Sequence, residues 1–296
     1  MKEKGTVRKW RFGDRFDGRR LRTLPPYNAL MPYIMKTRSG SSNSFTDSIE
    51  ITETEKFLRS KRINGYPGMG FLHLFIAAYI KVAAEYPAVN RFVSGKRVFA
   101  RNSIEFIMTV KKGLNIKSPE TSIKVAFDPR DTIYDVYGKL NSEIEKVKND
   151  ERLNDTDSTA KTLMKMPRML LKFVVRFLDI LDYFGKLPKS LLKVSPFHGS
   201  VIITDLGSIG LPPVYHHLYE FGNLPVFIAL GAKRKVREIT PEGTAAEKKY
   251  IDFNLVMDER ICDGFYFSQV IKIFKNYIRK PQPLETPAEK VVEDVE

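Results

Sequence analysis

Strand-like and helix-like segments alternate along almost the whole chain, and this alternation restricts the fold more than any other feature of the sequence. Apolar residues recur at helical spacing from Phe71 to Tyr86, and runs rich in β-branched and aromatic residues stand before and after that helix. No proline-, glycine- or serine-rich linker of useful length separates two halves. The pattern predicts one α/β domain in which helices pack on a mixed sheet. The predicted strands are 44–51, 96–113, 122–127, 199–210, 224–239 and 250–259, and the predicted helices are 52–61, 71–86, 131–149, 167–184 and 264–279.

The predicted domain covers residues 1–280, and three segments within or beside it differ from the rest. Residues 1–19 are basic and aromatic and predict an extended N-terminal arm. Residues 150–190 predict a polar, mobile loop followed by a basic amphipathic helix that starts at Pro167. Residues 281–296 are rich in acidic side chains and predict a disordered tail. Thr52, which precedes Glu55 by three residues, predicts a capping box at the start of the helix 52–61.

Charge and cysteine content restrict the partners and the compartment. The formal net charge is +14, and such a field attracts anions such as phosphorylated cofactors, nucleic acid or an anionic membrane face. The basic run at 231–237 has no aromatic-interleaved RNA motif, zinc finger or basic zipper beside it, so we predict no nucleic-acid partner. The single cysteine, Cys262, excludes a disulfide framework and indicates a cytosolic protein. We predict no metal site, no signal peptide and no membrane-spanning helix.

Several motifs of the C-terminal third stand at the mouths of predicted strands. In VMDERICDGFYF (256–267) an apolar strand ends in three charged residues, turns at Asp263-Gly264 and enters an apolar, aromatic helix. The strand upstream reads IITDLGSIG from Ile202, and the strand between the two contains LPVFIALGAKRK. Further upstream, FLHLFIAAYIKVAAEYPAVN predicts a helix that ends in a turn.

These four motifs, in this order, resemble the catalytic domain of the acyltransferase component of 2-oxoacid dehydrogenase complexes and its relative chloramphenicol acetyltransferase. That family carries H-x-x-x-D-G at a strand end before a helix and T-I-S-N-L-G at the end of another strand. The resemblance covers roughly residues 20–280. It implies a chloramphenicol-acetyltransferase-like two-layer fold, a homotrimer with each active site at a subunit boundary, and coenzyme A or acyl-CoA as substrate. Because it begins near residue 20, it leaves no room for a lipoyl domain, and we expect a free-standing protein.

The resemblance also assigns roles to individual residues. Thr204 stands where the family has a Ser or Thr hydroxyl that hydrogen-bonds the tetrahedral oxyanion. Asp263 stands where the family has a structural aspartate paired with an arginine near the N-terminus. Three arginines of DGRRLRTL are candidates for that pairing, namely Arg19, Arg20 and Arg22.

Glu259 stands where the family has its catalytic histidine, and this departure decides the function. A histidine titrates near pH ~6.5 and a glutamate near ~4.3, so an ordinary glutamate is a poor base for a thiol with a pKa near ~8.5. Three alternatives remain open. The first is that Glu259 is the base and that burial raises its pKa. The second is that another residue acts as the base. The third is that catalysis is lost and the fold serves another purpose. His216 and His217, on the segment that follows the glycine-rich exit of the Thr204 strand, are the candidates for a moved base.

The helix 167–184 offers a further surface. Its charged residues recur every three or four positions on one stripe, and nearly all its other residues are apolar. They are Arg168, Lys172, Arg176 and Asp179. A helix of this kind lies on an anionic membrane surface or packs in a subunit interface or on the core. Two functions are therefore predicted. The first is an acyl-CoA-dependent acyltransferase with a modified site, and the alternative is a non-catalytic trimeric binding or scaffold protein at a membrane surface.

Overall fold

The computed structural model describes residues 10–111, 120–149, 155–241 and 243–296. The parts of the predicted arm and of the predicted loop that lie at 1–9 and 150–154 fall outside these residues. The strands are β1 (Gly18–Arg20), β2 (Ser42–Glu50), β3 (Arg91–Ser94), β4 (Arg97–Arg101), β5 (Ile104–Lys111), β6 (Glu120–Phe127), β7 (Val201–Asp205), β8 (Val226–Ile239) and β9 (Ala245–Asp258). The helices are α1 (Pro26–Ile34), α2 (Thr52–Ile63), α3 (Phe71–Glu85), α4 (Ile133–Asn149), α5 (Asp155–Met164), α6 (Arg168–Tyr183), α7 (Lys189–Val194) and α8 (Gly264–Arg279).

The main sheet has six strands in the order β2-β9-β8-β7-β5-β6. β7 runs parallel to both of its neighbours, β5 and β8, whereas the other pairs are antiparallel. A second, three-stranded sheet has the order β1-β4-β3. The predicted mixed sheet is confirmed, and its parallel strands lie at the centre, where both faces are covered.

One face of the main sheet is covered by α2, α3, α4 and α8, which share a single apolar core with it. α3 is the central helix of this layer, because its residues from Leu74 to Ala84 are all buried. His73, Tyr79 and Lys81 bring the polar groups of its side chains inside, and the Tyr79 hydroxyl donates to the Val89 carbonyl. His73 is hydrogen-bonded through both ring nitrogens, to Gly70 N–H and to Asn141 Oδ1. The fold is therefore two-layered on this side, as predicted.

The opposite face is crossed by the irregular segment 211–223. A bulge in β8 between Leu230 and Lys233 bends the strand where this segment passes over it. A side chain at Gly231 would lie 2.3 Å from a ring carbon of Pro213, so the crossing requires glycine there. Ala232 N–H then donates to the Leu211 carbonyl and ties the segment to the strand.

The predicted N-terminal arm at 1–19 is partly wrong, because its described part packs on the domain, with Arg15 and Gly18 buried and Gly18 paired in β1. Buried Arg15 donates to Asp17 at 2.8 Å and to Asp182 Oδ1 at 2.6 Å. His198 Nε2 lies 3.3 Å from the same Asp182 oxygen. Burial alone would raise the pKa of Asp182, but His198 and Arg15 lower it to about 2. This buried ionic network joins the N-terminal segment to the end of α6.

Two local predictions are corrected by the structure. The predicted mobile loop 150–160 is wrong in its second half, because α5 begins at Asp155. The predicted capping box is also wrong. Ile51 is the N-cap residue of α2, the Thr52 hydroxyl accepts from Lys249 N–H, and Glu55 forms ion pairs with Lys233 and Lys249. The β8–β9 hairpin is thereby held against α2, and part of the basic run 231–237 is neutralised.

The predicted disordered tail is wrong. Residues 281–296 return along the domain, with Leu284 and Ala288 buried in it. Asp294 accepts two hydrogen bonds from the Arg91 guanidinium at 2.7 and 2.5 Å. The Glu296 carbonyl accepts from two backbone N–H groups near β1. The acidic charge of the tail thus lies against basic residues of a cationic domain, a long-range pairing that local composition does not show.

Replacing Asp294 by alanine is expected to lower the free energy of unfolding by about 1–3 kcal/mol, because the Arg91 guanidinium loses its partner at a mostly buried position. Urea unfolding followed by circular dichroism measures the change. Glu289→Ala is the matched control, since Glu289 is exposed and forms no ion pair with the residues that the structure describes. Equal stability of the Asp294 variant and wild type would mean that the tail is not docked.

Candidate active site

Thr204 lies near the end of β7, on the face of the sheet that is turned away from the helices. Its neighbour Ile203 belongs to the main core, and side chains alternate along a strand, so Thr204 points to the opposite side. Asp205 then caps a 3₁₀ turn by accepting from Ser208 N–H at 3.1 Å. A side chain at Gly207 would lie 2.4 Å from the Gly231 carbonyl, which explains the glycine-rich exit. Within the described residues the half-buried Thr204 hydroxyl makes no hydrogen bond.

His216 lies on the same face of the sheet as Thr204. Its ring stacks on Phe227 with centroids 3.9 Å apart and an interplanar angle of 12°. Phe227 pairs with Ile202, two residues before Thr204 on β7. Strand geometry places the backbones of Phe227 and Thr204 about 8 Å apart. His217 is exposed, and its ring lies edge-to-face with that of Tyr219 with centroids 5.4 Å apart.

The environment of His216 favours the neutral imidazole. Burial, followed by the nearby charge of His217, lowers the pKa of His216 below its ordinary value. Its Nε2 atom is buried and has no hydrogen-bond partner among the described residues. The ring is therefore a neutral base at neutral pH, held in place by stacking rather than by hydrogen bonds.

A polar cluster beside these residues was not found by sequence reasoning. Asn254 is buried in β9 and pairs, through Ala229 of β8, with Thr204. It accepts from the Thr46 hydroxyl at 2.7 Å and donates to the Pro213 carbonyl at 3.2 Å. Tyr215 meets the same Thr46 hydroxyl at 2.6 Å. An asparagine in the apolar run FNLVM (253–257) of β9 is the sequence feature that indicates this cluster.

A second buried group lies where β9 ends. Asp258 is fully buried and accepts from Arg260 Nε and Nη2 at 2.8 and 2.7 Å. Arg38 Nε lies 3.6 Å from the same carboxylate, and its Nη1 and Nη2 groups donate to main-chain carbonyls. The two charged residues that flank Glu259 thus anchor the strand end, and they bind it to the segment that precedes β2.

Glu259 itself is half-buried and lies one residue beyond the end of β9. Its backbone N–H donates to the Ser41 carbonyl, which continues the β2–β9 ladder, and its carboxylate accepts from Asn43 Nδ2 at 2.6 Å. Glu259 lies five residues beyond Asn254, so it is about 16 Å along the sheet from the level of Thr204. The two predicted catalytic residues are therefore not brought together within one chain.

Asp263 has a different partner from the predicted one. Its carboxylate caps α8 by accepting from Tyr266 N–H at 2.9 Å. The three arginines predicted as partners lie elsewhere, since Arg19 contacts the C-terminal tail and Arg22 pairs with Asp14. Arg20 is repelled by nearby arginines, which together with burial lower its pKa. Asp263 thus positions the helix that follows it, and no arginine is seen to hold it among the described residues.

Cys262 is not a nucleophile in this structure. It is buried beside Met257, and burial raises the pKa of its thiol to about 12. Thiolate chemistry at neutral pH needs a much lower pKa. In the part of the chain that the structure describes, no group of three or more His, Cys, Asp or Glu side chains is arranged to hold a metal ion. None of the helices there is long and apolar enough to cross a bilayer.

Comparison with known proteins gives similarity in structure but not in sequence. No protein-family model matches the chain, and no curated protein matches it. A probable dihydrolipoamide acetyltransferase from Listeria monocytogenes superposes with a TM-score of 0.56 and 14% identity, covering 88% of this chain and 95% of that one. The dihydrolipoamide acetyltransferase of Azotobacter vinelandii gives 0.55 and 11%, covering 87% and 88%. Chloramphenicol acetyltransferase gives 0.50 and 13%, covering 85% and 94%.

The fold is that of the 2-oxoacid dehydrogenase acyltransferase cores. The predicted chloramphenicol-acetyltransferase-like architecture is confirmed, with its mixed sheet and packed helices. At such low identity the match is one of fold alone. The roles of Glu259, Thr204, Asp263, His216 and His217 remain predictions.

Proposed function

We propose that this chain is an acyl-CoA-dependent acyltransferase that works as a homotrimer, with its active site between subunits. The observation that carries the proposal is the shared fold, which spans 85–88% of the chain in three acetyltransferases. An interfacial site also fits the positions of Thr204 and Glu259, which lie about 16 Å apart along one sheet, because two such residues meet only when a second subunit supplies one of them.

Thr204 is the proposed oxyanion donor. Its hydroxyl has no partner among the residues described, so it is free to donate to the oxygen that gains charge when a thioester is attacked. An oxyanion donor contributes about 2.7–4 kcal/mol to transition-state stabilisation. In the Azotobacter vinelandii enzyme a serine, a histidine and an asparagine have been studied in the catalytic mechanism, the last two four residues apart. Glu259 and Asp263 have the same spacing.

Two residues are proposed as alternatives for the base that takes the proton from the acceptor. Glu259 would act from a neighbouring subunit, with its carboxylate held by Asn43. His216 would act on the Thr204 face of its own subunit, where its lowered pKa keeps the imidazole neutral. A neutral imidazole accepts a proton from a thiol or hydroxyl more readily than an ordinary carboxylate does.

The test is steady-state turnover of a panel of acyl-CoAs with a thiol acceptor, together with the mass of the assembly. We expect a trimer and measurable thioester consumption. The variant of the true base, either Glu259→Gln or His216→Asn, should lose about 10²–10⁴-fold in kcat, while the other variant keeps most of it. If His216 is the base, kcat/KM should rise with pH with a midpoint below pH ~6.5, because the imidazole must be neutral and its pKa is lowered. Undiminished turnover in both variants would contradict the proposal for either base.

The alternative is a non-catalytic trimeric scaffold at an anionic membrane surface. The observation in its favour is α6, whose solvent-exposed half contains a row of large apolar side chains, among them Met169 at 78% and Phe173 at 68% exposure. No turnover with the panel, an intact trimer and binding to anionic vesicles would support it. New turnover in Glu259→His would then indicate that a formerly active site has decayed.

A further inference from the structure

A cleft of about 450 Å³ opens between the β3–β4 hairpin, the segment 36–38 and α6. It contains none of the proposed catalytic residues. Five cationic side chains line it, namely Lys36, Arg38, Lys96, Arg176 and Arg260. Three acidic side chains, Asp179, Asp182 and Glu220, line it as well.

The positive charge of this cleft exceeds the negative charge that faces it. Arg38 and Arg260 share the buried Asp258 carboxylate, and Asp182 is engaged by Arg15 and His198. The other three cations of the cleft have no carboxylate partner of this kind among the described residues. Within the described ranges Lys36, Lys96 and Arg176 form no ion pair. Two carboxylates of the lining oppose these three cations, namely Asp179 on α6 and Glu220, which accepts from Ser39 and from the Arg38 N–H.

Lys96 is held in the cleft at a conformational cost. Among the residues that the structure describes, Lys96 is the single non-glycine residue with a positive φ, at +59°. It occupies the β3–β4 hairpin turn together with Gly95. Asparagine or glycine suits that backbone better than lysine. A side chain at Gly95 would meet the Tyr183 carbonyl at 2.2 Å, so the turn lies directly against the end of α6. Burial, then the charges of Arg260 and Lys36, lower the pKa of Lys96. These cations repel one another in the unliganded cleft.

Arg38 supplies an independent observation. It is 6% exposed, it lines the cleft, and its Nε has no hydrogen-bond partner among the residues that the structure describes. A buried guanidinium N–H without a partner is rare in folded proteins and costs stability. The Arg38 Nε faces the Asp258 carboxylate at 3.6 Å, and an anionic ligand in the cleft would offset the repulsion at Lys96.

The rim of the cleft on the α6 side is apolar. Ile180, Tyr183 and Phe184 line it, and Phe184 is 70% exposed. Phe173 and Phe177 continue this row along the helix at four-residue spacing. The site thus combines a cationic interior with an apolar edge, which suits an anionic group attached to an apolar or aromatic moiety.

We propose that this cleft binds a phosphate group, held by Lys36, Lys96 and Arg176 beside the buried Arg38. Tetrahedral phosphate oxygens accept several hydrogen bonds from ammonium and guanidinium groups at once. The ligand is a phosphate ester, either the headgroup of an anionic phospholipid or a soluble phosphate compound such as coenzyme A. The cleft does not include the Thr204 face, so the proposal stands independently of the proposed acyl transfer.

Titration calorimetry with pyrophosphate tests the site on the full chain. We expect binding that weakens with salt, and at least a ~10-fold weaker binding in the double variant Lys36→Gln/Lys96→Gln, since each lost charge-assisted bond removes a large part of the affinity. Lys272→Gln/Lys290→Gln removes two exposed lysines that form no ion pair with the described residues and do not line the cleft, so it is the charge-matched control and should bind as wild type does. No pyrophosphate binding by wild type, or equal binding by the double variant, would overturn the proposal.

A second pair of measurements identifies the source of the phosphate. Flotation with vesicles of phosphatidylcholine, with and without phosphatidylglycerol, tests the lipid. Displacement of pyrophosphate by coenzyme A tests the soluble compound. If the protein floats with the phosphatidylglycerol vesicles but not with pure phosphatidylcholine, and Lys36→Gln/Lys96→Gln does not float, the ligand is a lipid headgroup. If coenzyme A displaces pyrophosphate and the protein does not bind vesicles, the ligand is a soluble phosphate ester. The pKa of Lys96 can be followed by NMR of the reductively methylated protein. If ligand binding leaves this pKa unchanged, the ligand binds outside the cleft.

Discussion

Replacing Asp258 by alanine is expected to lower the free energy of unfolding by about 3–5 kcal/mol. The carboxylate is fully buried and accepts three hydrogen bonds from Arg260. Arg38 lies 3.6 Å away and has its charge balanced by the same group. Without Asp258, two guanidinium groups remain buried without an anion. Urea or guanidinium unfolding, fitted with a common m-value, measures the loss.

A matched surface pair separates this effect from the general cost of losing an ion pair. Glu53 and Lys56 form a salt bridge whose side chains are 72% and 71% exposed, so Glu53→Ala should change stability by less than about 1 kcal/mol. The double variant Asp258→Asn/Arg260→Met should be less destabilised than the sum of its single changes, because it removes an anion and a cation together. Additive losses would show that the pair does not interact across this strand end.

The sequence predicted the sheet and its helix layer because these depend on local periodicity. α3 and α8 were placed within one residue of their observed ends, since each has a clear apolar stripe and a glycine or proline at its boundary. The docked tail was missed. Its order depends on Arg91 and on backbone groups that lie more than 200 residues away in the sequence, and acidic composition alone predicts disorder.

The motifs of the candidate site were also found from the sequence, but their relative position was not. Thr204 and Glu259 both stand near strand ends, and a family motif predicts no more than that. Their separation follows from strand direction, because β7 and β9 run in opposite directions and therefore end at opposite edges of the sheet. The same limit applies to Asp258, because its burial depends on an arginine, Arg38, that lies 220 residues earlier in the chain.

Thr204→Val is expected to lower kcat by about 10²–10³-fold if the chain is an acyltransferase, because valine keeps the shape of the side chain but removes the oxyanion donor. KM for acyl-CoA should change little, since the hydroxyl acts on charge that develops in the transition state. The variant should unfold at the same denaturant concentration as wild type, because the Thr204 hydroxyl has no partner to lose among the described residues. Stopped turnover together with lower stability would instead indicate a structural role.

Mixed trimers decide whether the site lies between subunits. If Thr204 of one subunit works with Glu259 of its neighbour, co-expression of Thr204→Val with Glu259→Gln should restore activity at about a quarter of the sites, because random assembly brings an intact Thr204 chain beside an intact Glu259 chain that often. If Thr204 works with His216 of its own subunit, co-expression of Thr204→Val with His216→Asn restores nothing, since each chain lacks one of the two residues. Activity recovered in the second mixture but not in the first would contradict both arrangements. It would require a base from a neighbouring subunit's 211–223 segment, and this segment would then be part of the subunit interface.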